Sequence, residues 1–249
     1  MRFENKTAIV TGGGRDIGRA TAERLAKDGA RVAISYNASR DGADQAVAAI
    51  TDRGGEAIAV QADLTSEAGV QALLAETQSA FGPTIGVLVH VTGGLIARKT
   101  ITEMEEAHWN DVMNLNVTSL FRMVKAVTPH MTDGGAIVAL ASQAGRDGGG
   151  PGAVAYGASK GAVMTMVRGL AKELSPTIRV NGICPGMIDT DFHNIFTKDE
   201  VRAKVAAGTP LKREGQSTEV ADLAAYLASD DASFITGANL DINGGMLFS

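Results

Sequence analysis

Cysteine is nearly absent from the 249-residue sequence: Cys184 stands alone, which excludes an intrachain disulfide and any cysteine-held structural zinc. Such a chain fits a reducing compartment, and a cytoplasmic protein without a metal site is expected. Aromatic residues make up only 4% of the chain, which argues against a pocket shaped for a bulky, steroid-like ring system. Charge of one sign is nowhere concentrated. The formal net charge of -5 is spread along the chain and leaves no basic footprint for nucleic acid or an anionic membrane. Long apolar runs are missing too, since none approaches the roughly 20 residues that cross a bilayer. The first residues, Met1 to Lys6, lead into a short strand-like run with no signal-peptide core before it.

What is present is a chain 45% apolar and long enough for one domain with a substantial core. Short, nearly continuous apolar runs at Ala8 to Val10, Val32 to Ile34, Ala57 to Val60, Val87 to Val91, Ala136 to Leu140 and Val180 to Ile183 predict strands covered on both faces. Amphipathic stretches between and after them predict helices over Ile17 to Lys27, Gly42 to Thr51, Glu67 to Ala80, His108 to Pro129, Ala155 to Leu174 and Thr218 to Ala228. Gly29, Gly54-Gly55 and Gly82-Pro83 are stop signals, while Ser66-Glu67 and Ser217-Thr218-Glu219 are start signals. Regular alternation of strand and helix predicts an α/β fold, a doubly wound parallel sheet with helices on both faces. Ligands of such sheets bind beyond the carboxyl ends of the strands, so the residues just after each apolar run are the ones to inspect.

Three features there carry chemistry. Gly12, Gly13, Gly14 and Gly18 lie between the first strand and first helix, where a bare backbone can approach a pyrophosphate and helix N-H groups can bind it. A glycine-rich turn used only for packing is the bland alternative, and no Gly-Lys-Ser/Thr follows to make a Walker loop. Tyr156 and Lys160 stand four apart, on one helix face, where an ammonium is expected to draw the phenol below its usual pKa of about 10. Ser142 stands just after the fifth apolar run, where a hydroxyl can donate to a developing oxyanion, although a serine capping a turn is commoner.

Together these residues resemble the short-chain dehydrogenase/reductase superfamily over essentially the whole chain. Thr11 to Gly18 resembles its Thr-Gly-x-x-x-Gly-x-Gly segment and Tyr156 to Lys160 its catalytic motif. Ala62-Asp63-Leu64-Thr65 resembles the adenine contact, Asn116 the catalytic asparagine, Pro185 to Thr190 the carboxamide segment, and Asp241 to Gly245 the C-terminal signature. The general likeness is to 3-oxoacyl-carrier-protein reductases and sugar dehydrogenases. It implies that Tyr156 protonates the substrate oxygen, Ser142 holds it, Lys160 binds the nicotinamide ribose, and Asn116 positions a relaying water. It further implies cofactor contacts at Gly12, Gly14, Arg15, Asp16, Ile17, Gly18, Asn37, Ser39, Asp63, Leu64, Gly93, Tyr156, Lys160, Ile188 and Thr190. A homotetramer is implied as well, with Met246-Leu247-Phe248 a candidate interface.

Several positions depart from that pattern. Asp16 replaces the middle glycine of the loop, at the first helical turn, where the helix dipole favours an acid. His90-Val91-Thr92-Gly93 stands where Asn-Asn-Ala-Gly is usual. Ser142 and Tyr156 are 14 apart, one more than the commonest family spacing, so the loop at Gly148 to Gly152 is expected to be longer and mobile. No acid lies between Tyr36 and Arg40 to bond a ribose 2'-hydroxyl, so NADPH is favoured with NADH open, and Asp16→Gly is expected to shift preference further toward NADPH. Arg98, Lys99 and Arg146 follow strands and Gln143 follows Ser142, which suggests a small, anionic carbonyl substrate such as a keto acid, a keto-sugar acid or a 3-oxoacyl thioester. The stretch from 190 to 212, with a short helix at Lys198 to Ala207, resembles a substrate lid. A dinucleotide sensor without turnover is the rival reading, but it has no use for a tuned phenol.

Overall fold

The computed structural model describes residues 1–248. Seven strands form one parallel sheet in the order β3-β2-β1-β4-β5-β6-β9. In chain order they are β1 (Thr7–Thr11), β2 (Arg31–Tyr36), β3 (Glu56–Gln61), β4 (Ile85–His90), β5 (Met131–Leu140), β6 (Ile178–Pro185) and β9 (Asn239–Ile242). A two-residue ladder joins β7 (Ile188–Asp189) to β8 (Gly215–Gln216). Alternation of side chains along each strand divides the core in two. Ala8 and Val10 of β1 face one apolar cluster with α1 (Asp16–Lys27), α2 (Arg40–Thr51) and α10 (Ser217–Ala228). Ile9 faces the other, with α3 (Glu67–Phe81), α5 (Ser119–Val127) and α7 (Val154–Leu174).

Six strands and five of the six longer helices stand where the periodicity puts them, and local chemistry explains their ends. Ser66 caps α3 by accepting from the Gly69 N-H at 3.1 Å, and Gln216 and Glu219 form a reciprocal capping box on α10. The helix expected over His108 to Pro129 is interrupted instead. It divides into α4 (Glu106–Met113), a π turn (Asn114–Thr118) and α5, because the Ser119 N-H bonds the Asn114 carbonyl five residues back. The strand β9 has no counterpart among the expected apolar runs; its four half-buried residues alternate polar and apolar at the sheet edge. After β7 come α8 (Asp191–Phe196) and α9 (Asp199–Gly208), and a single-turn α6 (Ala144–Asp147) follows β5. No helix among the described residues is long and apolar enough to cross a membrane.

Candidate active site

Strand order reverses between β1 and β4, and beyond the carboxyl ends there lies a cavity of about 680 Å³. Gly12 takes φ +64°, and a Cβ on Gly18 would strike the Gly12 carbonyl oxygen, so the loop can close onto α1 only as bare backbone. A Cβ on Gly14 would meet the Ser39 carbonyl oxygen at 2.7 Å. No side chain among the described residues caps the start of α1, which leaves its first N-H groups to an anion. The cradle therefore fits a pyrophosphate. Arg15, Ile17, Asn37, Ser39, Asp63, Leu64, Ile188 and Thr190 line the same cavity. Asp63 braces its own turn, accepting from the Thr65 N-H at 2.9 Å and hydroxyl at 2.7 Å.

Asp16 opens α1 with φ +47°, the left-handed conformation for which a glycine is the easier residue. Its Oδ1 accepts from the Asp191 N-H at 3.3 Å, at the start of α8. Arg15 lies 3.9 Å from Asp16 and 3.8 Å from Asp191. Partial burial pushes the Asp16 carboxyl up, against the lowering effect of the Asp191 N-H. The carboxylate thus links the glycine loop to α8, whose Phe192 and His193 line the cavity.

Tyr156 and Lys160 project from the first turns of α7 toward Ser142 at the end of β5. The Lys160 Nζ is 5.7 Å from the Tyr156 ring centre and donates to the Leu140 carbonyl at 2.7 Å. Their charges behave differently from the sequence expectation. Burial raises the Tyr156 phenol, with a hydrogen bond to Ser142 pulling the other way, and burial lowers the Lys160 ammonium to about 8. Desolvation penalises both charged forms and is the largest cause of each shift.

Asn116 sits in the π turn, outside the cavity lining, where its Nδ2 donates to Gly94 O (2.8 Å) and Val112 O (2.9 Å) and its Oδ1 accepts from Gly94 N (3.0 Å). A Cβ on Gly93 would lie 2.6 Å from the Asn116 Oδ1 and 2.9 Å from the Lys160 Nζ. Glycine at that position lets the amide and the ammonium converge. His90 is buried behind them and does not line the cavity, whereas Val91, Thr92 and Gly93 do.

The expected cationic rim is not built as foreseen. Arg146 turns away from the cavity to pair with Asp241 at 2.8 Å and to donate to the Asn239 carbonyl at 2.7 Å, locking α6 to β9. Lys99 pairs with Glu105 at 2.7 Å. Arg98 does line the wall, but it donates to the carbonyls of Phe196 and Pro151, both at 2.9 Å. Gln143 also lines the wall; its Nε2 donates to Asp147 at 2.9 Å, and its buried Oε1 has no partner among the described residues. A ligand N-H or O-H would satisfy that oxygen.

One wall was missed in the sequence. Phe192 of α8 lies 5.7 Å from the Tyr156 ring, backed by His193 at 5.1 Å and Phe196 at 5.2 Å. The spacing of Phe192 and Phe196, one helical turn, was the available signal. Burial pushes His193 down to about 4, so this wall is uncharged at neutral pH.

The family described as enoyl-(acyl carrier protein) reductase matches residues 12–247. The 3-oxoacyl-(acyl-carrier-protein) reductase FabG of Staphylococcus epidermidis is 38% identical over 245 residues, covering 97% of this chain and 99% of the relative. Glucose 1-dehydrogenase 2 of Bacillus subtilis is 38% identical over 248 residues, covering 97% and 94%. Among solved structures, a short-chain dehydrogenase/reductase from Serratia marcescens superposes with TM-score 0.92 at 35% identity over 99% of both chains. A blue fluorescent protein from a metagenomic library, in complex with NADPH, superposes with TM-score 0.93 at 34% identity over 100% of both chains.

Proposed function

Because the chain belongs to the short-chain dehydrogenase/reductase family, whose members are NAD(P)-dependent oxidoreductases acting between CH-OH and C=O, we propose that it reduces the carbonyl of a small substrate with NADPH. The observation that carries this reading is the convergence of Ser142, Tyr156 and Lys160 on one cavity with a bare glycine cradle. Bound in that cradle, the cofactor supplies the hydride. Ser142 donates a hydrogen bond to the substrate oxygen, and Tyr156 releases its proton to that oxygen as negative charge develops. Lys160 stabilises the phenolate left behind and binds the nicotinamide ribose. Asn116 holds a water beside the ammonium, from which the proton is replaced.

NADPH is favoured over NADH by the acid-free stretch Tyr36 to Arg40, by Asn37, Ser39 and Arg15 on the cavity wall, and by the neighbour that binds NADPH. The engaged Arg146 and Arg98 remove the case for a free substrate carboxylate. Leu95, Ala153, Phe192, Val201, Val205 and Met246 line the cavity with apolar surface, which suits the acyl chain of a 3-oxoacyl thioester. Residues 190–212 act as the lid over this end. The reading also takes the protein to be a cytoplasmic homotetramer. Parallel assays of 3-oxoacyl thioesters, keto sugars and keto acids with NADPH and NADH test it. Fastest turnover is expected for a thioester with NADPH; preference for a keto acid or for NADH would overturn the respective part.

A further inference from the structure

The structure assigns His90, as a neutral imidazole protonated on Nε2, the task of holding the π turn that carries Asn116. Each hydrogen around it can be accounted for. The Thr11 hydroxyl accepts from the Val91 N-H at 3.0 Å and the Thr92 N-H at 3.1 Å, so both lone pairs are used. Its one hydrogen is left for the His90 Nδ1 at 3.2 Å, which must therefore be bare. On the other side, Ser119 spends its only hydrogen on the Leu115 carbonyl at 2.6 Å. The Ser119 oxygen, 3.1 Å from the His90 Nε2, can then only accept.

The end of this chain lies where the helix departs from α geometry. With the Ser119 N-H committed to Asn114, the Leu115 carbonyl loses the partner four residues on that an α-helix would provide. The Ser119 hydroxyl takes that place, and His90 orients the hydroxyl. A continuous path thus runs from the ends of β1 and β4 through His90 and Ser119 to the turn beside Gly93 and Lys160. An imidazolium would place a second N-H against the Thr11 hydroxyl hydrogen. Burial and the nearby Lys160 hold the ring neutral, with its pKa pushed down to about 3. His90 touches no reacting atom and is a positioning residue. The functional half of the inference rests on the role proposed above for Asn116.

Nitrogen-15 NMR of the cofactor-free protein tests the geometry directly. Between pH 5 and 9 the His90 ring should stay neutral, with the proton on Nε2; a proton on Nδ1, or titration near 6.5, would overturn the assignment. His90→Phe and Ser119→Ala test the consequence. Each should lower kcat by about tenfold with the KM for NADPH nearly unchanged, and the double variant should fall no further than the worse single one. Additive losses, or an unchanged kcat in folded variants, would refute the positioning role. If instead Asn116→Ala keeps full kcat, the proposed relay fails, while the NMR result still decides the tautomer. Should neither variant fold, the spectrum of the unaltered protein decides alone.

Discussion

A histidine that stays neutral in the fold makes the native state sensitive to acid. The folded pKa of His90 lies near 3, below the ordinary 6.5, so in that interval the unfolded chain binds a proton that the native chain refuses. Stability from this residue is complete above about 6.5 and is lost as pH falls, by roughly 1.4 kcal/mol per pH unit. Denaturant midpoints should fall between pH 7 and 5, with His193, pushed down to about 4, adding to the loss; a folded His90→Phe variant should show a shallower fall, and equal slopes would contradict the buried neutral state. Residue by residue, Ser142, Tyr156 and Lys160 were legible because hydroxyl, phenol and ammonium fell at strand-end and i,i+4 positions. Asn116 came only through family resemblance, since an asparagine inside a helical pattern has no local mark. Arg146 was misread because its partner Asp241, 95 residues on, becomes its neighbour only through the sheet.

Among elements, two contacts give distinct expectations. The Arg146 bridge from α6 to β9 is mostly shielded from water, so Arg146→Ala should destabilise the protein by roughly 2–3 kcal/mol. Its effect on the KM for anionic carbonyls should be no larger than on that for neutral ones. A selective loss with anions would restore Arg146 to the substrate site. Asp16 joins the glycine loop to α8, and Asp16→Gly trades that bond for relief of a left-handed backbone, an exchange of about 1 kcal/mol each way. Global stability should change little, while hydrogen exchange at the start of α8 speeds up and the NADPH-to-NADH preference rises. Unchanged exchange would rule out the link; an unchanged ratio would remove the carboxylate from cofactor choice. Strand and helix cores were readable from period alone, but the π turn was not, because the 3.6-residue pattern runs through it and only the hydrogen bonds reveal the break.

At the scale of the whole molecule, Phe121, Phe234 and Phe248 expose their rings, the last at 87%. A large apolar side chain left in water is a candidate for cover by another copy. Light scattering after size exclusion is expected to give four times the 25.7 kDa chain mass, and a monomer would refute the tetramer. The parallel sheet was legible from alternation of strands and helices, but its strand order, and with it the switch point between β1 and β4, was not. Nor was the aromatic wall of α8, since Phe192, backed by Phe196, joins the pocket only by packing beside Tyr156.

In the proposed reaction the Tyr156 phenol gives its proton to a carbonyl as hydride arrives. Single-turnover reduction by Tyr156→Phe, with NADPH binding measured on the same sample, separates this proton transfer from cofactor binding. NADPH affinity is expected to stay within about threefold of the unaltered protein while the reduction rate falls by at least ~10², the usual share of a general acid. Undiminished reduction by the phenylalanine variant would contradict it.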